Sequence, residues 1–305
     1  MVYCIGETVL DIIFKDEQPV AAKPGGAMLN TAVSLGRAGI PVSLLTEFGI
    51  DRPGELIRNF LLENKVSTEF TYQYSDGRTA ISMAFLTDKN EAEYTFYKRY
   101  PEKRFLIPIP VFKPGDFVLY GSYFAIAHEI RESLLRILNA AREAGASLIY
   151  DPNFRKAHLE ERDELIMNIR ENMALAGLIR GSHEDFLNTF AARTGEEAFR
   201  EVSDTGCSRL IYTSHHEGVE VFDGKDHFSF PVPEIEPVST IGAGDAFNAG
   251  VIYSLLKKDL RNTDPAGLEE ESWREIAETG VRFATDVCMS MDNYISEPFV
   301  KKLIK

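Results

Sequence analysis

The stretch VSTIGAGDAFNAG at residues 238–250 places two glycines and an aspartate directly before a helical pattern. Phe247, Val251 and Leu255 recur every four residues, so one face of the predicted helix is apolar and packs on a sheet. The small residues at 242–244 then lie at the N-terminus of that helix. The stretch therefore predicts a sheet-covering helix that begins at a glycine-rich turn.

This turn has the composition of an anion site. Unpaired amides at a helix N-terminus point outward and the macrodipole is positive there, so Gly242, Ala243 and Gly244 predict a hole for a phosphoryl group or a developing oxyanion. Asp245 beside it is suited to accept the proton of a hydroxyl that attacks the phosphoryl group. GxGD is a weak motif by itself, and an aspartate that only stabilises the first helical turn is the alternative.

Short apolar runs and helical patterns alternate along most of the chain. Strand candidates lie at 2–6, 117–122, 147–153, 174–182 and 209–214, with helical stretches between them. This alternation predicts an α/β fold with a doubly wound, mostly parallel sheet and helices on both faces. Ligands gather beyond the carboxyl ends of the strands in such sheets. The polar residues at or just past predicted strand ends are Glu7, Asp11, Asp151, Asn153, Ser182 and Thr213.

Residues 68–104 interrupt this alternation. The segment is rich in Thr, Tyr and Phe, alternates by twos and has turn signals at 75–77 and 88–90, which predicts antiparallel strands without a helix. We expect one domain over residues 1–305, with a small β-sheet lid inserted at about 12–24 and 68–104. A peripheral sheet extension with only a packing role is the alternative.

The overall composition limits the binding partners and the cellular compartment that we expect. The 305 residues carry a net charge of −14, which argues against nucleic acid or an anionic membrane surface as main partner but permits an anionic substrate in a basic pocket. Cys4, Cys207 and Cys288 have no metal-ligand spacing. The N-terminus lacks signal-peptide features, and no run reaches the ~18 apolar residues of a membrane helix. We expect a cytoplasmic protein.

Several common enzyme signatures are missing from the sequence. It has no GxxxxGK[ST] loop and no GxGxxG after a strand, which argues against a Walker-type NTPase and a typical Rossmann dehydrogenase. A hydrolase could also combine an anion hole with a carboxylate, but no GxSxG elbow and no HExxH site supports that class.

Five ordered motifs together resemble the ribokinase/PfkB-type carbohydrate kinases over nearly the whole chain. TIGAGDAF (240–247) is similar to the C-terminal signature of that family, and GGAMLNTAVSLGRAG (25–39) to its N-terminal signature. GETVLD (6–11), YDPNFR (150–155) and SHED (182–185) resemble further motifs in the same order. Such a set is much more specific than GxGD alone.

The resemblance implies a doubly wound α/β domain with a β-sheet lid over a sugar, and transfer of phosphate from ATP with Mg²⁺. Within the family, the motifs look most like fructokinases, which points to D-fructose and fructose 6-phosphate. A 2-keto-3-deoxygluconate kinase or another sugar or nucleoside kinase is the alternative. A hypothesis from another class of protein is a sugar-binding regulator that has lost turnover. The intact Asp245 argues against it.

The same resemblance assigns roles by position. Asp245 is implied as the catalytic base, with the amides of residues 242–244 around the transferring phosphoryl group. The residues implied in sugar binding are Asp11, Gly26, Asn30, Lys98, Arg99, Asn153 and Arg155. The alternatives are a strand-end turn for Asp11, helix solvation for Asn30 and a solvated strand face for Lys98.

Nucleotide and metal contacts are implied in the same way. Thr213 and Gly218 resemble a nucleotide-binding turn, together with Gly242 and Gly244. Asp185, with Glu184 beside it, would hold Mg²⁺ through water, as a hard cation prefers. The alternative for Asp185 is an acid that only stabilises a helix N-terminus.

The sequence departs from the family pattern at two positions, and it also suggests a second copy of the chain as a partner. Ser239 stands where the family has an aspartate that often helps to hold an activating monovalent cation, which puts K⁺ activation in doubt. His215 stands where the nucleotide turn has glycine, which puts nucleotide preference in question. Because bare strand faces are liabilities, we also expect a homodimer through the lid.

Overall fold

The structure, a computed structural model, describes residues 1–86, 92–258, 260 and 268–303. It contains a large, mostly parallel sheet with helices on both faces and a separate small sheet. The predicted fold class, an α/β protein with a doubly wound sheet and a small additional sheet, is therefore confirmed.

The elements follow one another in the expected alternating order. The strands are β1 (Val2–Ile5), β2 (Val9–Lys15), β3 (Gln18–Gly25), β4 (Val42–Gly49), β5 (Val66–Ser67), β6 (Thr71–Tyr74), β7 (Arg78–Leu86), β8 (Ala92–Arg99), β9 (Phe117–Gly121), β10 (Ser147–Asp151), β11 (Leu178–Ser182), β12 (Arg209–Ser214), β13 (Gly218–Asp223) and β14 (Asp226–Phe230). The helices are α1 (Ala27–Arg37), α2 (Arg52–Glu63), α3 (Arg131–Glu143), α4 (Arg162–Leu175), α5 (His183–Phe190), α6 (Gly195–Ser203), α7 (Ala243–Lys257), α8 (Glu270–Cys288) and α9 (Glu297–Leu303). Within the described ranges, no helix has the length and apolar character needed to span a membrane.

The large sheet has the strand order β14-β13-β12-β11-β10-β9-β1-β4-β5, and β6 also pairs with β4. The strands from β12 to β5 run parallel, whereas β13 and β14 are antiparallel at one edge. The carboxyl ends of the parallel strands therefore meet along one side, where the polar strand-end residues collect. The strand expected at 174–182 begins only at Leu178, because the helix-forming Ala174 and Leu175 extend α4.

Alternate residues of the central strands pack into two separate cores. In β1, Cys4 packs with α1, α2, α7 and α8, whereas Tyr3 and Ile5 pack with α3, α4, α5 and α6. Because these strands are buried on both faces, their sequences form nearly continuous apolar runs.

Helix α7 is buried more completely than its sequence predicts. The sequence predicts one apolar face, but α7 is buried on more than one side because it lies between α1 and α8. Gly250 comes so close to α8 that an added Cβ would lie 2.7 Å from the Gly280 Cα atom. A pair of glycines therefore allows two helices to approach backbone to backbone behind the functional turn.

The small sheet has the order β3-β2-β7-β8, with a β2–β3 hairpin, parallel β2 and β7, and antiparallel β7 and β8. Its bounds differ from the expected lid. It begins at Val9, and residues 71–74 belong to the large sheet, where β6 pairs with β4 and Tyr74 is buried. Alternating polarity identifies a strand but not its partner, which explains this error. The turn expected at 88–90 lies outside the described residues.

Candidate active site

Asp245 is fixed at the start of α7 by two residues of α1. Asn30 Nδ2 donates to Asp245 Oδ2 over 2.8 Å, and Thr31 Oγ1 donates to the Asp245 backbone oxygen over 2.9 Å. All three residues are buried. The sequence predicts Asp245 and Asn30 as site residues, and the fold brings them into direct contact across 215 positions of the chain.

The side-chain oxygen of Asn30 faces no hydrogen-bond donor among the described residues. Asn30 Oδ1 is buried and has no hydrogen-bond partner in the part of the chain that the structure describes. Leaving a buried acceptor unpaired costs about 1–3 kcal/mol. A hydroxyl that donates to Asn30 Oδ1 would lie beside Asp245, so the pair offers an acceptor and a base to the same molecule.

Burial also makes Asp245 a better base than an exposed carboxylate. Loss of solvent raises the pKa of Asp245 to about 6, while the hydrogen bond from Asn30 and the positive charges of Arg155 and Arg180 oppose this rise. The negative charge of Asp151 acts in the same direction as burial. Asp245 is therefore ionised near neutral pH and close to the pH range in which a general base works best.

The turn before α7 has the backbone geometry that its glycines predict. Gly242 adopts the left-handed conformation, with φ of 81°, and an added Cβ would lie 2.6 Å from the backbone oxygen of Asn293. Only glycine satisfies both conditions. The amide of Ala243 donates to the Thr240 backbone oxygen over 3.2 Å, so this member of the expected anion hole is already engaged.

Arg180, in β11, lies beside this turn, and the sequence analysis does not identify it. Its Nη1 donates to Asp151 Oδ2 over 3.2 Å and its Nη2 to Thr213 Oγ1 over 2.8 Å. An added Cβ on Gly244 would lie 2.9 Å from Arg180 Nη1, so the guanidinium reaches the turn because residue 244 has no side chain. The signal in the sequence is one cation inside an apolar strand, which is costly unless it is paired.

Buried negative charge accumulates around Arg180. Burial raises the pKa of Asp151, and the charge of Asp185 raises it further, while Arg180 and a hydrogen bond from Asn248 lower it. Asn248 Nδ2 donates to Asp151 Oδ2 over 2.5 Å. Asp151, Asp185 and Asp245 are all buried, and Arg180 is the buried cation that contacts this group. The site can therefore accommodate further positive charge.

The two acids predicted to hold a metal have structural partners. The Ser182 amide donates to Asp185 Oδ2 over 2.7 Å and the Asp185 amide donates to Ser182 Oγ over 3.2 Å, which forms a capping box at the start of α5. The Ser182 hydroxyl also lies 2.6 Å from Asp185 Oδ2. Glu184 Oε1 lies 3.7 Å from Lys156 Nζ. A metal role for Asp185 and Glu184 stays a prediction.

Asp11 lies on β2 of the small sheet between two other strands. Ser82 Oγ donates to Asp11 Oδ1, and an added Cβ on Gly25 would lie 2.1 Å from Asp11 Oδ2. Burial raises the pKa of Asp11 to about 6, and the Ser82 hydrogen bond opposes this rise. Gly26 follows with φ of 128°, and an added Cβ there would lie 2.3 Å from the Glu7 backbone oxygen. The Gly25–Gly26 pair thus connects Asp11 directly to α1.

Lys98 and Arg99 are exposed on β8. Lys98 Nζ lies 4.9 Å from the ring centre of Phe96 and 5.2 Å from that of Tyr123, where it makes cation–π contacts. This places Lys98 against Tyr123, which follows β9 of the large sheet. Sugar binding by Lys98 and Arg99 stays a prediction.

Asn153 and Arg155 follow β10 at the predicted edge of the sheet. Asn153 has a φ of 42°, and its amide donates to Asp151 Oδ1 over 3.0 Å. Arg155 is exposed, but its charge lowers the pKa of both Asp151 and Asp245. Arg155 therefore faces the same group of carboxylates as Arg180.

The expected nucleotide turn has an unusual backbone. His215 has a φ of 39°, a conformation that glycine adopts without strain. Gly218 has a φ of 124°, and an added Cβ would lie 2.7 Å from the Phe230 backbone oxygen. Ser239, which stands before the anion turn, accepts a hydrogen bond from the Ile241 amide over 3.2 Å. Nucleotide binding by Thr213 and Gly218 stays a prediction.

Comparison with known proteins gives the family of the chain. The pattern of the pfkB family carbohydrate kinases matches residues 1–298, and the chain belongs to this family. It is 28% identical over 263 residues to the fructokinase of Escherichia coli, with 85% of each protein covered. It is 26% identical over 256 residues to the aminoimidazole riboside kinase of Salmonella typhimurium, covering 83% of this chain and 80% of that protein.

Solved structures agree in fold. The fructokinase of Vibrio cholerae O395 in its fructose, ADP and calcium ion bound form has a TM-score of 0.85 and 20% identity, covering 100% of this chain and 98% of that one. Aminoimidazole riboside kinase from Salmonella enterica, complexed with aminoimidazole riboside and an ATP analog, has a TM-score of 0.84 and 22% identity, covering 99% and 98%. The predicted family and enzyme class are confirmed: the chain is a sugar kinase, a phosphotransferase.

Removing Arg180 would leave Asp151 buried and without its ion-pair partner. We expect Arg180→Met to lower the free energy of unfolding by about 3–5 kcal/mol near pH 8. The pKa of Asp151 in the folded protein would rise further above its unfolded value, so the folded form would bind more protons and the loss would shrink as pH is lowered. Urea unfolding near pH 8 and near pH 5.5 measures both effects.

Arg209→Met is the matched control. Arg209 and Asp223 form another buried ion pair, with 3.0 Å between Arg209 Nε and Asp223 Oδ1, away from the glycine turn. We expect Arg209→Met to lose stability to a similar extent but to retain kcat, whereas Arg180→Met loses kcat as well. Equal kcat values for the two variants would contradict a role of Arg180 in the site.

Proposed function

We propose that this sugar kinase uses ATP to phosphorylate a sugar hydroxyl, with D-fructose as the first candidate and fructose 6-phosphate as the product. The observation that carries this proposal is the buried pair of Asn30 and Asp245 at the glycine turn. Asn30 Oδ1 offers an unsatisfied acceptor to a hydroxyl, and Asp245 stands beside it to take the proton. The fructokinase relatives support D-fructose as the substrate, but at less than 30% identity they do not decide between D-fructose and another acceptor.

The transfer follows from the placement of these groups. The proton of the attacking primary hydroxyl moves to Asp245, while its oxygen forms a bond to the γ-phosphorus of ATP. The bond from that phosphorus to the bridging oxygen breaks, and ADP leaves. The amides of Gly242 and Gly244, at the positive end of α7, and the guanidinium of Arg180 stabilise charge on the phosphoryl oxygens.

In this proposal the sugar lies between the two sheets. Asp11, from the small sheet, and Gly26 and Asn30, at the start of α1, bind its hydroxyls. The small sheet acts as a lid that excludes water and so suppresses hydrolysis of ATP. Asn153 and Arg155 line the edge of the same site, and ATP lies across the carboxyl ends of β10, β11 and β12, near Thr213 and Gly218.

Mg²⁺ is the proposed metal, held through water by Asp185 and Glu184. The donor set fits a hard cation, because Asp185 is a buried carboxylate whose charge raises the pKa of Asp151. When bound, Mg²⁺ offsets negative charge on the phosphate oxygens. K⁺ is not assigned, because Ser239 replaces the aspartate associated with such activation.

A nucleoside is the second candidate substrate. The relative from Salmonella typhimurium is named for aminoimidazole riboside, and its identity to this chain is similar to that of the fructokinases. A 2-keto-3-deoxygluconate kinase remains the alternative from the sequence. A sugar-binding regulator without turnover is disfavoured, because Asp245 is held in place by Asn30 and Thr31.

The homodimer expected through the lid stays a prediction. The small sheet exposes apolar side chains, including Val20 at 58% and Tyr97 at 59% of their full surface. Burial against a second copy would remove these side chains from water.

Release of ADP with MgATP tests the proposed reaction. The panel is D-fructose, 2-keto-3-deoxygluconate, ribose, aminoimidazole riboside, inosine and no acceptor. We expect the highest kcat/KM with D-fructose and little ADP without an acceptor, because lid closure needs a sugar. A higher kcat/KM with another acceptor would replace fructose but keep the kinase, whereas no turnover with any acceptor would contradict the proposal.

The dependence of rate on pH tests the two buried carboxylates. Asp245 must be ionised to accept a proton, so kcat should fall about tenfold per pH unit below its pKa of about 6. Asp11, whose pKa is also about 6, must be ionised to bind a sugar hydroxyl. Below pH 6, kcat/KM for the sugar should therefore fall more steeply than kcat. A kcat that is constant down to pH 5 in folded protein would contradict this assignment.

A further inference from the structure

The environment of Asp11 contains a hydroxyl that the reaction proposed above does not use. Ser82 is the lateral neighbour of Asp11 on the parallel strand β7 and is fully buried. Its Oγ donates to Asp11 Oδ1. Neighbouring strands carry side chains at matched positions on the same face, so this contact follows directly from the strand register.

The other neighbours of Asp11 do not stabilise its charge. On β3, Lys23 is the register partner of Asp11, but its ammonium lies 2.7 Å from Asp292 Oδ1 and 3.3 Å from the Met291 backbone oxygen. Gly25, on the same strand, contributes only a bare Cα beside Asp11 Oδ2. Among the described residues, the hydrogen bond from Ser82 is therefore the contact that stabilises the ionised form of Asp11.

We propose that Ser82 is a positioning residue for sugar recognition: its hydroxyl occupies Asp11 Oδ1 and directs Asp11 Oδ2 toward the hydroxyl of the substrate. The inference rests on the proposed function, because it assumes that Asp11 binds the sugar. The carboxylate lies between the Ser82 hydroxyl on one side and the Cα of Gly25 on the other, which leaves it little freedom to rotate.

The hydroxyl also determines the charge state in which Asp11 meets the sugar. Burial favours the neutral carboxyl, and the Ser82 hydrogen bond favours the carboxylate. Without the hydroxyl, the pKa of Asp11 would rise further above its ordinary value. At a given pH, a larger fraction of Asp11 would carry a proton and could no longer accept through both oxygens.

Ser82→Ala tests this inference with the best acceptor of the panel and with saturating MgATP. We expect KM for the sugar to rise about tenfold to a hundredfold, the range for a hydrogen bond to a charged group, with kcat within about threefold of the unmodified enzyme. The acid limb of kcat/KM should move to higher pH, while the acid limb of kcat stays in place. Ser82→Thr, which keeps a hydroxyl, should restore most of the affinity.

Ser43→Ala is the matched control, because Ser43 is equally buried in β4 and its hydroxyl makes, within the described part of the chain, only a 3.4 Å hydrogen bond to the Ser67 backbone oxygen. Its KM should stay unchanged, and thermal unfolding without sugar checks that each variant is folded. An unchanged KM in Ser82→Ala, or a loss confined to kcat, would overturn the inference.

Calorimetric binding of D-fructose without ATP separates this inference from the kinase proposal. Weaker binding by Ser82→Ala than by the unmodified protein supports the role of Ser82 even if no acceptor is phosphorylated. Equal affinity overturns it even if turnover is found. If the unmodified protein binds none of the panel acceptors, the inference fails together with the proposed substrate class.

Discussion

The hydrogen bond from Asn30 to the Asp245 carboxylate, supported by the bond from Thr31 to the Asp245 backbone oxygen, joins helices α1 and α7 at the point where the proposed chemistry takes place. These helices lie 215 positions apart in the sequence and pack on the same face of the large sheet, so Asp245 is in position only when that face has assembled. Asn30 Oδ1 has no partner among the described residues, and in the proposed reaction it accepts from the substrate hydroxyl beside the base. The position of the proposed base therefore depends on residues that only the folded chain brings together.

Two close backbone contacts, each at a glycine and each too close for a side chain, lie behind this hydrogen bond. Gly242 rests on the Asn293 backbone oxygen, and Gly250 rests on Gly280. The loop that carries Asn293 is also bound by Lys23 of the small sheet, through Asp292. The small sheet thus contacts the loop that supports the anion turn, which connects the two sides of the proposed sugar site.

Charge balance is the second constraint on the site. Asp151, Asp185 and Asp245 are all buried. The charge of Asp185 raises the pKa of Asp151, the charge of Asp151 raises the pKa of Asp245, and Arg180 compensates these charges only in part. A buried carboxylate is tolerated when hydrogen bonds and cations surround it. The same arrangement suits a reaction that brings a metal ion and a polyphosphate to this edge of the sheet and then releases them.

Sequence patterns predict the parts of this arrangement that depend on local chemistry. The glycine turn, Asp245 and the alternation of strands and helices follow from residue type and periodicity. The pairing partner of a strand does not follow from these local features. For this reason the sequence predicts β6 as part of the lid, whereas it pairs with β4. A cation in an apolar strand marks Arg180 as a residue that needs a partner, but the sequence does not identify that partner. Ser82, a serine in a polar strand, has no such signal, and both residues acquire their roles through contacts across the fold.

The most direct test of the central claim is the kcat of Asp245→Asn with the best acceptor and MgATP. Asparagine keeps the shape and can still accept the hydrogen bond from Asn30, but it cannot take the proton. The account predicts that kcat falls by about 10²- to 10⁴-fold, with the fold and ATP binding retained. A folded variant with nearly normal turnover would contradict the assignment of Asp245 as the base.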